Sequence, residues 1–141
     1  MRSAVLILVS VLAAWGDIES VKTEPNLEKR SERALANAQT SLDRARESYQ
    51  KGNDEGLKDA FEELGESIEV CKQSLDESGK NARKRPKYFK KAEIGIRQLI
   101  RRLETFKVEM SIDDREPVGK LLQRAHQLQE SILEDIMGKK K

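Results

Sequence analysis

The one histidine of this chain, His126, stands next to Ala125 and two residues before Leu128. Catalysis by an imidazole, or metal binding through one, needs partners at set spacings. Di-iron bundles place Glu-x-x-His on two helices, and the residue three before His126 is Gln123. Covalent haem needs Cys-x-x-Cys-His, but Cys71 is the one cysteine. General acid–base work needs paired groups in a shared cleft. The Asp and Glu residues instead recur at the spacing of solvated helix faces, with no glycine-rich or aromatic lining around them. No catalytic constellation is recognisable, no cofactor and no metal site are implied, and the expectation is a protein that is not an enzyme. Cys71 itself lies between Ile68 and Leu75 on an apolar stripe. An odd thiol in an exported chain can form an intermolecular disulfide or do redox chemistry. On such a stripe it is expected to be a small buried hydrophobe.

The charged feature that can bind something runs from Lys80 to Lys91. Lys80, Arg83, Lys84, Arg85, Lys87, Lys90 and Lys91 occur there without one acid and with Tyr88-Phe89 embedded, and Arg97, Arg101 and Arg102 continue the series. A basic, partly aromatic corner of this kind docks on phosphates of anionic lipids, cell-wall polymers or extracellular nucleic acid. The candidate contacts are Arg83, Lys84, Arg85, Lys87, Lys90 and Lys91. Two considerations compete: Phe89 belongs to a core stripe, and the cations can pair with Glu55, Asp59, Glu62, Glu63, Glu66 and Glu69. Against that, cations at a helix N-terminus are not favoured by the helix dipole, so local helix stability does not explain them. The whole chain has 27 basic and 25 acidic residues and a net charge of +2. That balance argues against nucleic acid as partner.

The elements that must position these residues are helices. With 37% charged and 4% aromatic residues, the composition suits long exposed helices rather than a sandwich or barrel. Four segments carry apolar residues at alternating spacings of three and four. Leu35, Ala38, Leu42, Ala45 and Tyr49 predict a helix over 26–51, opened by Pro25 and closed by Gly52-Asn53. Leu57, Phe61, Leu64, Ile68, Cys71 and Leu75 predict a second over 54–77. Phe89, Ala92, Ile96, Leu99, Leu103, Phe106 and Met110 predict a third over 87–110, and Val118, Leu121, Ala125, Leu128, Ile132 and Ile136 a fourth ending at Gly138. The stoppers between them turn the chain back three times. The fold expected is all-α, an antiparallel up-down-up-down four-helix bundle over 26–138. Asp113 and Glu116 have the spacing of a capping box for the fourth helix. Residues 17–25 lack a pattern and are expected to be flexible. Lys139 to Lys141 form a basic tail that complements the last helix's C-terminus. Stripes of this width close a monomer or leave room for a homodimer.

At the N-terminus, Arg2 precedes an apolar run from Ala4 to Ala14 interrupted only by Ser10. This is the pattern of a signal peptide, 1–16, with cleavage expected after Gly16 or nearby after Ala14. A spanning helix needs about 20 apolar residues, so the run is too short to stay in the membrane. No cysteine follows it closely to carry a lipid anchor. The mature chain is expected to be exported, periplasmic or secreted, without a transmembrane helix.

Two resemblances can be named. Ala45-x-x-x-Tyr49-x-x-Gly52-Asn53, followed by Leu57 and Ala60, resembles the turn between the two helices of a tetratricopeptide repeat over about twenty residues. That likeness implies a peptide-binding adaptor with a groove between the first two helices. The stretch Pro86 to Glu104, with Ser111 to Pro117, is similar to small signal-bearing helical proteins of soil bacteria such as acidobacteria. This likeness implies export and helicity and no chemistry. The function expected is binding, to a protein partner or to an anionic envelope polymer or lipid surface.

Overall fold

The computed structural model describes residues 18–78, 84 and 86–138. The expected signal peptide, 1–16, and the basic tail, 139–141, lie outside the described residues. Among the described residues five α-helices follow one another: α1 (Ile18–Lys22), α2 (Leu27–Gln50), α3 (Asp54–Glu77), α4 (Pro86–Glu109) and α5 (Glu116–Met137). A 3-10 turn, Ile112–Asp114, precedes α5, and no strand occurs among the described residues. None of the described helices is long and apolar enough to cross a membrane.

Local chemistry sets the ends. The Asn26 side chain accepts a hydrogen bond from the Lys29 amide at the start of α2, and Asn53 does the same for Gly56 at the start of α3. Between these helices Gly52 takes φ +70°, and Gly138 closes α5 at φ +69°. Both are left-handed positions that glycine adopts without a Cβ clash. Pro86 opens α4, where its fixed φ suits the first turn.

The stripes meet in one core. Leu42, Leu64, Ile96, Leu99, Leu103, Phe106 and Leu128 are all at most 2% exposed. Their burial supplies most of the folding free energy, at roughly 1.5 to 3 kcal/mol for each large apolar side chain. Small residues line the join of α2 and α3, with Ala34, Ala38, Ser41 and Ala45 buried on one helix and Ala60, Ser67, Cys71 and Ser74 on the other.

Cross-helix bonds fix the directions. Asn37 donates to Glu63 and Ser67, and Arg30 lies near Glu77, so α2 and α3 are antiparallel. Gln129 donates to Glu93, and Gly119 lies near Lys107, so α4 and α5 are antiparallel too. Glu32 pairs with Lys91 and Arg46 with Glu109, so α2 and α4 run parallel. Helix α3 packs beside α5 as well. The chain therefore alternates up, down, up, down, as the helix stoppers require. The order around the bundle is α2, α3, α5, α4, which puts α3 and α4 on opposite corners although they are consecutive in sequence.

Two expectations need correction. Residues 18–22 of the segment expected to be flexible form α1, which buries Ile18 and Val21 at 3% and 2% exposure. Two apolar residues three apart are too few to register as a stripe, yet they suffice to dock one helical turn. The capping box is also absent: Asp113 lies in the 3-10 turn, and α5 starts after Arg115 without a side-chain cap. Asp114 is occupied instead, accepting a hydrogen bond from the Tyr49 hydroxyl at 3.0 Å.

Candidate functional site

Helix α4 turns Phe89, Ala92, Ile96, Leu99, Leu103 and Phe106 inward. The same periodicity turns Lys87, Lys90, Ile94 and Arg101 outward, and all four are exposed, Ile94 by 50%. Among the described residues Lys84, Lys87, Lys90 and Arg101 have no ion-pair partner. Other cations of the helix are drawn sideways. Lys91 pairs with Glu32 at 3.0 Å, Arg102 with Gln39 and Asp43, and Arg97 with Glu93. Of the six expected contacts, then, the structure brings Lys84, Lys87 and Lys90 into the open, diverts Lys91 to α2, and leaves Arg83 and Arg85 outside the described residues.

Sequence reading assigned no role to the apolar component of this face. Ile94 escapes the stripe, so spacing alone places it among solvated residues. The Gln129–Glu93 hydrogen bond, 3.0 Å long, sets the register of α4 on α5. Leu133 lies one turn beyond Gln129 and is partly exposed, and Met137 follows one turn later at 57%. Glu93 anchors this seam from a buried position. The Arg97 guanidinium, and then the Gln129 amide, hold its carboxyl below the usual carboxylate range against the opposing effect of burial.

The opposite corner is acidic. Helix α3 carries nine carboxylates against two lysines. Of these, Glu55, Asp59, Glu62 and Glu69 point outward and have no ion-pair partner among the described residues. Glu63 accepts from the Ile18 amide and from Asn37, and Glu66 from Lys22. Among the described residues no cation of the basic run pairs with these acids, because α3 and α4 lie at opposite corners of the bundle. Charges on opposite faces of a bundle are further apart than the roughly 8 to 10 Å over which salt screens them.

Two concavities accompany these faces. A cleft of about 880 Å³ opens between α3 and α5 over a floor of Leu57, Phe61 and Leu121. Its rim mixes signs, with Lys58, Lys120 and Arg124 beside Asp54, Glu62 and Asp113, so it selects no ligand charge. A second groove, of about 560 Å³, follows the join of α2 and α3 past Glu47 and Asp59. His126 is exposed on α5, and no trio of His, Cys, Asp or Glu among the described residues is placed to hold a metal.

Cys71 is fully buried, and the loss of hydration pushes its thiol up to about 12. A thiol so placed reacts only when the bundle opens. Labelling by a thiol-specific reagent at neutral pH is expected to run at least about a hundredfold slower in the folded protein than in denaturant. Equal rates in the two conditions would place Cys71 at the surface.

No protein-family model, curated protein or solved structure matches the chain.

Proposed function

We propose that the protein is an exported, non-catalytic helical bundle that docks through the outer face of α4 on an anionic lipid surface of the cell envelope. The observation that carries this reading is the set of cations without an ion-pair partner among the described residues, Lys84, Lys87, Lys90 and Arg101, around the half-exposed Ile94. Cations alone suit any polyphosphate. An apolar side chain among them, with Leu133 and Met137 on the adjoining helix, suits a bilayer interface, where lysines meet headgroups and apolar tips enter the acyl boundary. Export is supported by the apolar run from Ala4 to Ala14 behind Arg2.

The test is co-sedimentation with phosphatidylglycerol-containing and with pure phosphatidylcholine vesicles, at low and at physiological salt. The chain is expected to pellet only with the anionic vesicles and to be released as salt rises. Each cation near such a surface contributes about 1 kcal/mol, so reversing three of them as Lys87→Glu, Lys90→Glu and Arg101→Glu lowers the partition coefficient on the order of a hundredfold or more. Wild-type chain that stays in the supernatant with both vesicle types overturns the reading.

A further inference from the structure

The acidic outer face of α3 and the basic outer face of α4 match each other in register as well as in sign. The bonds between helices provide a common axial scale. Lys91 is level with Glu32, Arg102 with Gln39 and Glu109 with Arg46 along the parallel pair α4 and α2. Asn37 is level with Glu63 and Ser67, and Arg30 with Glu77, along the antiparallel pair α2 and α3. Combining the two scales sets Arg101 of α4 level with the Glu62–Glu63 turn of α3. Lys87 is likewise level with Asp76 and Glu77. Each row spans fourteen helical steps, about 21 Å of helix. A second copy displaced sideways without rotation therefore brings Arg101 opposite Glu62 of the first and Lys87 opposite Asp76, which Lys72 of its own helix also bonds at 2.9 Å, with Lys90 between Asp76 and Glu69.

We propose that copies of this chain associate side by side, the α4 face of one on the α3 face of the next. The contact is heterologous, since it joins two different surfaces, and it leaves one free face of each kind at the two ends of the assembly. It therefore grows as a row rather than closing as a dimer. The rows consist of exposed side chains, so the association weakens as salt screens them. The contact shares α4 with the proposed docking surface but does not depend on it. A copy resting on an anionic surface through α4 turns the carboxylates of α3 outward, and so presents to the next copy the kind of surface it has itself bound.

Sedimentation velocity over a range of protein concentrations tests this directly. At low ionic strength the weight-average sedimentation coefficient is expected to rise with concentration, and at physiological ionic strength to fall back towards the monomer value. Two triple variants follow: Glu62→Lys, Glu69→Lys and Asp76→Lys on α3, and Lys87→Glu, Lys90→Glu and Arg101→Glu on α4. Each is expected to remain monomeric alone, whereas an equimolar mixture of the two regains the association, because the reversed faces fit each other. Far-UV circular dichroism melts establish that both variants are folded. A wild-type coefficient independent of concentration at low ionic strength overturns the proposal, and so does association that survives in either variant alone. The α3 variant also separates the two readings: it should lose self-association while still pelleting with anionic vesicles.

Discussion

Ile96→Asp is expected to abolish the cooperative thermal unfolding of the bundle. Ile96 is fully buried near the middle of α4, in the cluster that includes Leu42, Leu64, Leu99, Leu103 and Leu128. Removing its side chain forfeits roughly 2 to 3 kcal/mol of apolar burial. An aspartate there has no cation to meet, and keeping even a protonated carboxyl without a hydrogen-bond partner costs about 2 to 7 kcal/mol more. The sum approaches the whole stability of an ordinary domain, about 5 to 15 kcal/mol. The control is two residues away. Ile94 is half exposed, so Ile94→Asp is expected to leave the far-UV circular dichroism melt within a few degrees of wild type. It should weaken vesicle binding, since it removes the apolar contact and adds a negative charge. If Ile96→Asp melts like the wild type, the inward face of α4 has been misassigned.

That pair of outcomes also marks what periodicity reveals. The spacing from Phe89 to Met110 distinguishes Ile96 from Ile94, and the structure buries the one and exposes the other. Helix ends were legible for the same local reasons: Asn26, Gly52, Asn53, Pro86 and Gly138 each act on the backbone within a turn of themselves. Tertiary partners were not legible. Acids on α3 and cations on α4 are consecutive in the chain and look like mutual counter-ions. The bundle places them at opposite corners because packing order depends on how all four apolar faces fit together, which no single stripe encodes. The Asp113 to Glu116 spacing gave a false cap for a related reason. Tyr49, more than sixty residues earlier, reaches the turn, where its hydroxyl donates to Asp114 and accepts from the Ser111 amide at 2.9 Å. The basic face was therefore legible as composition, while its isolation from counter-charge, on which the functional reading depends, came only from the fold.

Helix α1 supplies the second large effect. The double substitution Ile18→Ala with Val21→Ala is expected to destabilise the bundle by about 3 to 5 kcal/mol, since both side chains are almost completely buried and each loses transfer free energy and leaves a partly filled cavity. For a domain of this size each kcal/mol lowers the melting temperature by roughly 3 to 6 °C, so a fall of about 10 to 30 °C is expected. Helix propensity cannot account for such a change, because alanine is the best helix former. The loss would come from undocking. Ile18 donates its amide to Glu63 at 3.0 Å, Arg33 reaches the Ser20 hydroxyl at 3.0 Å and Glu24 at 3.2 Å, and Lys22 bonds Glu66. These bonds are exposed or partly so, and worth little apiece. They hold only while the two apolar side chains keep α1 against α2 and α3. Urea unfolding of the wild type and the double variant measures the effect. A lower midpoint with an unchanged slope means that α1 is part of the cooperative unit. An unchanged midpoint means that residues 18–22 contribute nothing to the fold, as a flexible segment would, and that Glu63 and Glu66 hold their places without it.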